Sequence, residues 1–283
     1  MNNEHCHDHR HFDTIADGYD RHAAVQREVA ARLLERLDGL NFHPGAILDL
    51  GCATGHQASA LKKRFPEARV LALDSAPGML RQARRQRGRW RRRFELVGGD
   101  AQALPLAAAS LDLVFASMTL EWCQEPELVL QSLRRVIRPG GLLLIATTGP
   151  DTHRELHRAL ASAPDNAITG GKLIHAMQLG NTLVRAGFQE PVVDTDWLTS
   201  THKTFASLLE DLHQTGTAVS ENPDITGSSS FDPPQQSENG PYPLTWEIVY
   251  ASAWAPNEGQ PVRTSGGEEA SISADSIPIR RRR

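Results

Sequence analysis

The sequence predicts an α/β fold: a mostly parallel sheet with helices on both faces. Two observations carry this. Short apolar runs alternate with segments whose apolar residues recur at helical spacing, as in βαβ units. The first run also opens directly into a glycine turn and a helix, the connection a parallel sheet requires.

The elements follow in order. Val25, Val29, Leu33, Leu34 and Leu37 mark a helix that stops by Gly39. Ala46 to Leu50 is the first strand, and Arg69 to Leu73 the second, ending at Asp74. A helix begins near Pro77, where the missing N–H costs nothing. Strands Phe94 to Val97, Leu111 to Ser117 and Leu142 to Thr147 follow, with a helix from Pro126 to Ile137 between the last two. After Thr148 the pattern loosens. Helices are expected over Thr152–Ala161, Leu173–Ala186 and Phe205–Leu212, and strands over Val192–Thr199 and Trp246–Trp254. Residues 220–241 are rich in Ser, Pro, Gly, Asn and Gln and read as a loop. Residues 1–11 and 256–283 read as disordered polar tails around one domain, 12–255.

Composition narrows the function. The 283 residues, 40% hydrophobic, suffice for a large core, and a net charge of −4 argues against a dedicated nucleic-acid binder. No apolar run is long enough to span a membrane and no signal core opens the chain, so a cytoplasmic protein is expected. Cys6, Cys52 and Cys123 lack zinc-ligand spacing. His5, His7, His9 and His11 alternate in the N-terminal tail and could hold a transition metal weakly, but nothing nearby would fix the geometry, so no metal site is assigned.

The sharpest signal is Ile47 to Gly55, ILDLGCATG. Gly51 lets the backbone approach a ligand at the carboxyl end of the first strand. The turn reads G-x-x-x-G, so the dinucleotide pyrophosphate fingerprint is absent. Asp49 would repel a phosphate and suits a cationic ligand. Asp74 can accept both hydroxyls of a ribose; its plain alternative is a helix N-cap. Together these residues resemble the class I S-adenosylmethionine (SAM) methyltransferases, Rossmann-like α/β proteins, over about residues 42–148. The family loop reads like LDLGCGTG; here Ala53 replaces the middle glycine. The resemblance implies SAM as cofactor, held by Asp49, Gly51 and Gly55, with Asp74 on the ribose. It implies Met79, in DSAPGML, against the adenine and Asp100 and Ala101, in GGDAQALPL, at its amino group. Met118, in DLVFASMTLEW, would face the transferred methyl.

The flanks narrow the family. FDTIADGYD, LEWCQEP, GPDTHREL, LVRAGFQEPVVDTDWLT and YPLTWEIVYASAW resemble the malonyl-acyl-carrier-protein O-methyltransferases of early biotin synthesis, over about residues 10–255. That resemblance implies a helical substrate-covering region, 149–241, and malonyl-acyl carrier protein as partner. A carboxylate acceptor with a pKa near ~4 is already ionised at pH 7, so no catalytic acid or base is assigned. Tyr19 is a candidate lid or a buried helix anchor. Trp122 is a candidate wall of the methyl-transfer site or a core residue. His153, Arg154 and Lys172 are candidate substrate contacts or solvated surface groups.

Three stretches depart from the family: His175 to Gln178, Asp211 to Thr217, and 220–241. FDTIADGYD alone would also fit a methyltransferase acting on a quinone precursor or other small molecule, against which the closing YPLTWEIVY counts, and the departures at 175–178 and His213 keep a SAM-fold assembly factor open. The eight arginines between Arg81 and Arg93 read as a solvated helix face, a docking face for an acidic carrier protein, or a nucleic-acid patch.

Overall fold

The computed structural model describes residues 9–88, 93–159, 168–219, 241–260, 262–264 and 267–269. Its chain order is α1 (His9–Ile15), α2 (Tyr19–His22), α3 (Ala24–Glu35), β1 (Ala46–Leu50), α4 (His56–Arg64), β2 (Arg69–Asp74), α5 (Pro77–Gln86) and β3 (Glu95–Gly98). Then come β4 (Leu111–Ser117), α6 (Pro126–Val136), β5 (Ile137–Thr148), α7 (Arg154–Ala159), β6 (Ile168–Thr169), α8 (Ala176–Arg185) and β7 (Gln189–His202). The chain continues through α9 (Phe205–His213), β8 (Ala218–Val219), β9 (Tyr242–Trp254), β10 (Val262–Thr264) and β11 (Gly267–Glu269).

Seven strands form one sheet in the order β3-β2-β1-β4-β5-β9-β7. The first five run parallel, and β9 is antiparallel to both neighbours. The order reverses between β1 and β4, which leaves a crevice at their carboxyl ends, where open α/β sheets bind ligands.

Burial on both faces explains the unbroken apolar strands. Ile47, Leu113, Phe115 and Leu144 pack with Val29 and Leu33 of α3 and Leu61 of α4. Their neighbours Leu48, Val114 and Leu143 point the other way, toward Leu130 and Leu133 of α6 and Leu183 of α8. Each such side chain contributes roughly 1.5–3 kcal/mol on burial.

Several expected elements change. Among the described residues of 149–241, α7, α8 and α9 are helical, β7 extends the expected strand into the main sheet, and β6 and β8 form a further antiparallel ladder. Strand β7 runs from Gln189 to His202 because it pairs along nearly all of β9, which itself begins at Tyr242. Helix α8 starts at Ala176 because Ile174 lies buried with its N–H on the Thr148 carbonyl, 2.9 Å away, and His175 is extended. Helix α7 starts at Arg154 because His153 holds a positive φ and donates its N–H to the Thr245 carbonyl at 2.7 Å. Helix α1 begins at His9, inside the expected N-terminal tail, and β10 pairs with β11 inside the expected C-terminal tail. The loop expected at 220–241 lies outside the described residues except for Pro241. Among the described residues no helix is long and apolar enough to cross a membrane.

Candidate active site

The turn after β1 is shaped by what presses on it. Gly51 has φ +69°, and a Cβ there would sit 2.2 Å from Thr119 Oγ1. That hydroxyl donates to the Leu50 carbonyl at 3.0 Å, so the turn after β4 clamps the turn after β1. Ala53 holds a left-handed φ of +45°. Its N–H donates to Asp74 Oδ2 at 2.8 Å, which offsets the strain. Asp74 Oδ1 accepts from the Ala76 N–H at 2.9 Å, so this carboxylate organises the starts of two loops. Burial holds Asp74 above the usual carboxylate range despite these hydrogen bonds.

Three cavities meet at Tyr19 and Met118. The first, about 180 Å³, is lined by Gly51, Asp74, Met79, Asp100, Ala101 and Met118, among others. The second, about 40 Å³, reaches Asp49 and Ser117. Asp49 is 1% exposed, and its Oδ2 has no hydrogen-bond partner among the described residues. Burial, and then the nearby Asp74, pushes its carboxyl up to about 8. An unpaired buried carboxylate oxygen beside a glycine cradle fits a ligand with a cationic end. Gly55 lines neither cavity; it caps α4 with φ +84°, packed against Phe94.

The third cavity, about 200 Å³, lies beyond Tyr19 and is lined by Glu121, Trp122, His153, His157, Thr217 and Trp246, among others. His153 is 5% exposed and stacks edge-on against Trp246 at 4.3 Å. Burial lowers its pKa to about 3, so the ring is neutral. Two candidates do not line this cavity. Arg154 is exposed and pairs with Glu155 at 3.4 Å. Lys172 turns its ammonium to the Gln124 carbonyl. Glu121 was not anticipated from sequence. Its signal in the sequence is an acid set between Leu120 and Trp122, a few residues past an apolar strand.

The N-terminal segment packs over the turns after β1 and β2 and the start of α5. Ile15 and Ala16 pack on Ala76 and Met79, with Phe12 and Tyr19 beside them. Asp13 accepts from the Gly78 N–H, Asp17 from the Gln82 amide, and Asp20 from Thr54 Oγ1 at 2.6 Å. Tyr19 is partly buried, and its hydroxyl is held well above its ordinary pKa by burial and then by Asp74 and Glu121. Among the described residues no three His, Cys, Asp or Glu side chains gather as a metal site. A larger groove of about 660 Å³ between α3 and α4 lies beyond Arg27 and His56 and is lined by none of the candidate cofactor or substrate residues.

Residues 48–145 match the family model described as a methyltransferase domain. A malonyl-[acyl-carrier protein] O-methyltransferase of Xylella fastidiosa (strain M23) is 40% identical, covering 98% of this chain and 96% of its own. One from Laribacter hongkongensis (strain HLHK9) is 39% identical over 87% of each chain. Among solved structures, phosphoethanolamine N-methyltransferase 2 of Haemonchus contortus in complex with S-adenosyl-L-methionine superposes with a TM-score of 0.56 at 16% identity. That match covers 87% of this chain and 57% of the other.

Proposed function

The chain belongs to the malonyl-[acyl-carrier protein] O-methyltransferases, and from that premise we propose how its residues carry out the transfer. The reaction moves a methyl group from SAM to the free carboxylate of a malonyl thioester on acyl carrier protein, early in biotin synthesis. The observation that carries the residue assignment is the meeting of three cavities at Tyr19 and Met118.

Bound SAM supplies an electrophilic methyl on a sulfonium. Asp49 and Ser117 in the small chamber take its amino-acid end, where the unpaired Asp49 oxygen meets positive charge. Asp74 takes the ribose. Met79, Asp100 and Ala101 take the adenine. Gly51 makes room for Thr119, which keeps the turn tight beside the cavity, and Gly55 supports that turn by packing on Ala83 and Phe94. Met118 and Tyr19, shared by all three cavities, would stand between the cofactor and the third cavity, where Trp122 and His153 would face the malonyl group.

The acceptor carboxylate is ionised at neutral pH, so no residue must remove a proton. Alignment of donor and acceptor by the cavity walls can supply roughly 7–11 kcal/mol of the barrier reduction. The segment α1–α2 keeps water from the sulfonium once the site is filled.

Malonyl-carrier protein incubated with SAM and this chain should gain the mass of one methylene, read by mass spectrometry. An unchanged mass, alongside methylation of a free small acid, would move the assignment to the small-molecule alternative.

A further inference from the structure

The third cavity contains two buried side-chain atoms with no hydrogen-bond partner among the described residues, Glu121 Oε1 and His153 Nε2. Glu121 is 2% exposed. Its Oε2 accepts from Thr147 Oγ1 at 3.0 Å, which fixes the other oxygen as the available one. A Cβ on Gly171 would stand 2.6 Å from Glu121 Cγ, so the opposing wall leaves that side chain little freedom to turn away. Buried polar groups are normally paired. Two unpaired ones converging on one cavity from different segments mark a site built for a polar ligand.

We propose that Glu121 is the specificity residue for the acceptor: as a neutral carboxylic acid it donates a hydrogen bond to the malonyl carboxylate oxygen that does not attack the methyl group. This deepens the malonyl reading above and rests on it.

The surroundings supply the reason. An anionic acceptor entering this cavity meets no cation among its described lining residues. Arg154 pairs with Glu155, and the Lys172 ammonium is held by the Gln124 carbonyl, although the Lys172 N–H donates to the Glu121 carbonyl. The other titratable groups around Glu121 are Tyr19 from α2, Cys123 on its own segment, and His153 and His157 at the start of α7. Burial keeps both histidines below their ordinary pKa and holds Tyr19 and Cys123 protonated. The anion must therefore be met by donated hydrogens. Burial also pushes Glu121 up to about 7, and a second carboxylate beside it raises it further. A carboxylic acid donating to a carboxylate makes a short, charge-assisted hydrogen bond.

The step balances without a proton transfer. The attacking carboxylate oxygen forms the new C–O bond, the C–S bond breaks, and sulfur keeps the electron pair. Glu121 keeps its proton throughout. The resulting ester is a weaker acceptor than the carboxylate, so the same residue favours substrate over product.

The test is kcat/KM on malonyl-carrier protein from about pH 5.5 to 9 for the wild type and Glu121→Gln, with SAM affinity measured by calorimetry to check that each variant is folded. The wild type should lose about tenfold per pH unit above an inflection near 7, because kcat/KM reports ionisation of the free enzyme. Glu121→Gln keeps a donor at every pH and should lose this limb, overtaking the wild type by about pH 9. An identical inflection in both proteins overturns the proposal. Infrared difference spectra of the two proteins without acceptor give a second reading: a protonated-carboxyl band present at about pH 6 and gone by about pH 9. Absence of that band also overturns it. If the wild type leaves malonyl-carrier protein unmethylated, the substrate reading fails and takes the named acceptor with it, while the band still decides whether Glu121 holds the proton.

Discussion

Ala53 and Asp49 show how single residues divide between stability and ligand binding. Ala53 adopts φ +45°, a conformation that costs a non-glycine residue roughly 1–2 kcal/mol. Ala53→Gly should therefore raise Tm by about 2–4 °C, read by calorimetry, and an unchanged or lowered Tm would mean that the strain at Ala53 is smaller than the entropy glycine adds to the unfolded chain. Asp49 has the opposite character. Its folded pKa of about 8 lies above its ordinary value of 3.8, so the fold holds the proton more tightly than the unfolded chain does. That contribution is complete below about pH 4 and is lost as the pH rises through about 8. Asp49→Asn should thus gain Tm relative to the wild type as pH climbs from about 5 to 9, while SAM affinity falls. A Tm difference that does not change with pH would mean Asp49 does not titrate in that range. Asp74→Ala should weaken SAM by at least ~1.5–3 kcal/mol, the range for a hydrogen bond to a charged group. Unchanged affinity in calorimetry would remove Asp74 from the site.

Among the elements, α1 and α2 stand apart because they are too short to be stable alone and depend on their docking partners. They hold to the turn after β1 and to α5 by one small apolar patch and three aspartates, Asp13, Asp17 and Asp20. Few buried contacts mean a low opening free energy. SAM would fill the gap between this segment and β1. Hydrogen exchange of residues 12–22 should therefore slow by at least about tenfold on SAM addition, while β4 and β5, already buried on both faces, stay unchanged. Equal protection with and without SAM would make α1–α2 a fixed part of the fold and not a lid.

Arg81, Arg84 and Arg85 are exposed on α5; Arg85 lies 3.9 Å from Asp17 of the N-terminal segment. Of the arginine run, residues 89–92 lie outside the described residues. Rim charges act mainly on encounter rate. Arg81→Glu with Arg84→Glu should raise KM for the carrier-bound substrate, flatten its salt dependence, and leave the rate on a small malonyl thioester unchanged. Equal loss on both substrates would point to damage at the cofactor site. At the other end, Ala255 closes the sheet: its N–H donates to the Gly141 carbonyl, and its carbonyl accepts from the Gly140 N–H. A chain ending at Ala255 keeps both bonds and should retain wild-type turnover. Its failure to fold would make the following segment part of the domain.

The alternating strands and helices, the glycine turn and the acid ending β2 were legible in the sequence, because they are local. Each depends on spacing along a few residues and on the backbone freedom of glycine. The flanking motifs resembled the family to which the chain belongs. Tertiary structure decided what depends on neighbours distant in the chain. Strand β7 reaches His202 because β9 lies beside it, and α7 starts late because the Thr245 carbonyl holds His153. Arg154 and Lys172 do not line the third cavity: Arg154 pairs with its neighbour Glu155, and the Lys172 ammonium turns to the carbonyl of Gln124, distant in the chain. Glu121 is an ordinary acid in the sequence. It becomes a buried, half-paired carboxyl only when Thr147 and Gly171 close around it, because burial and pairing belong to the packed chain and not to any segment of it.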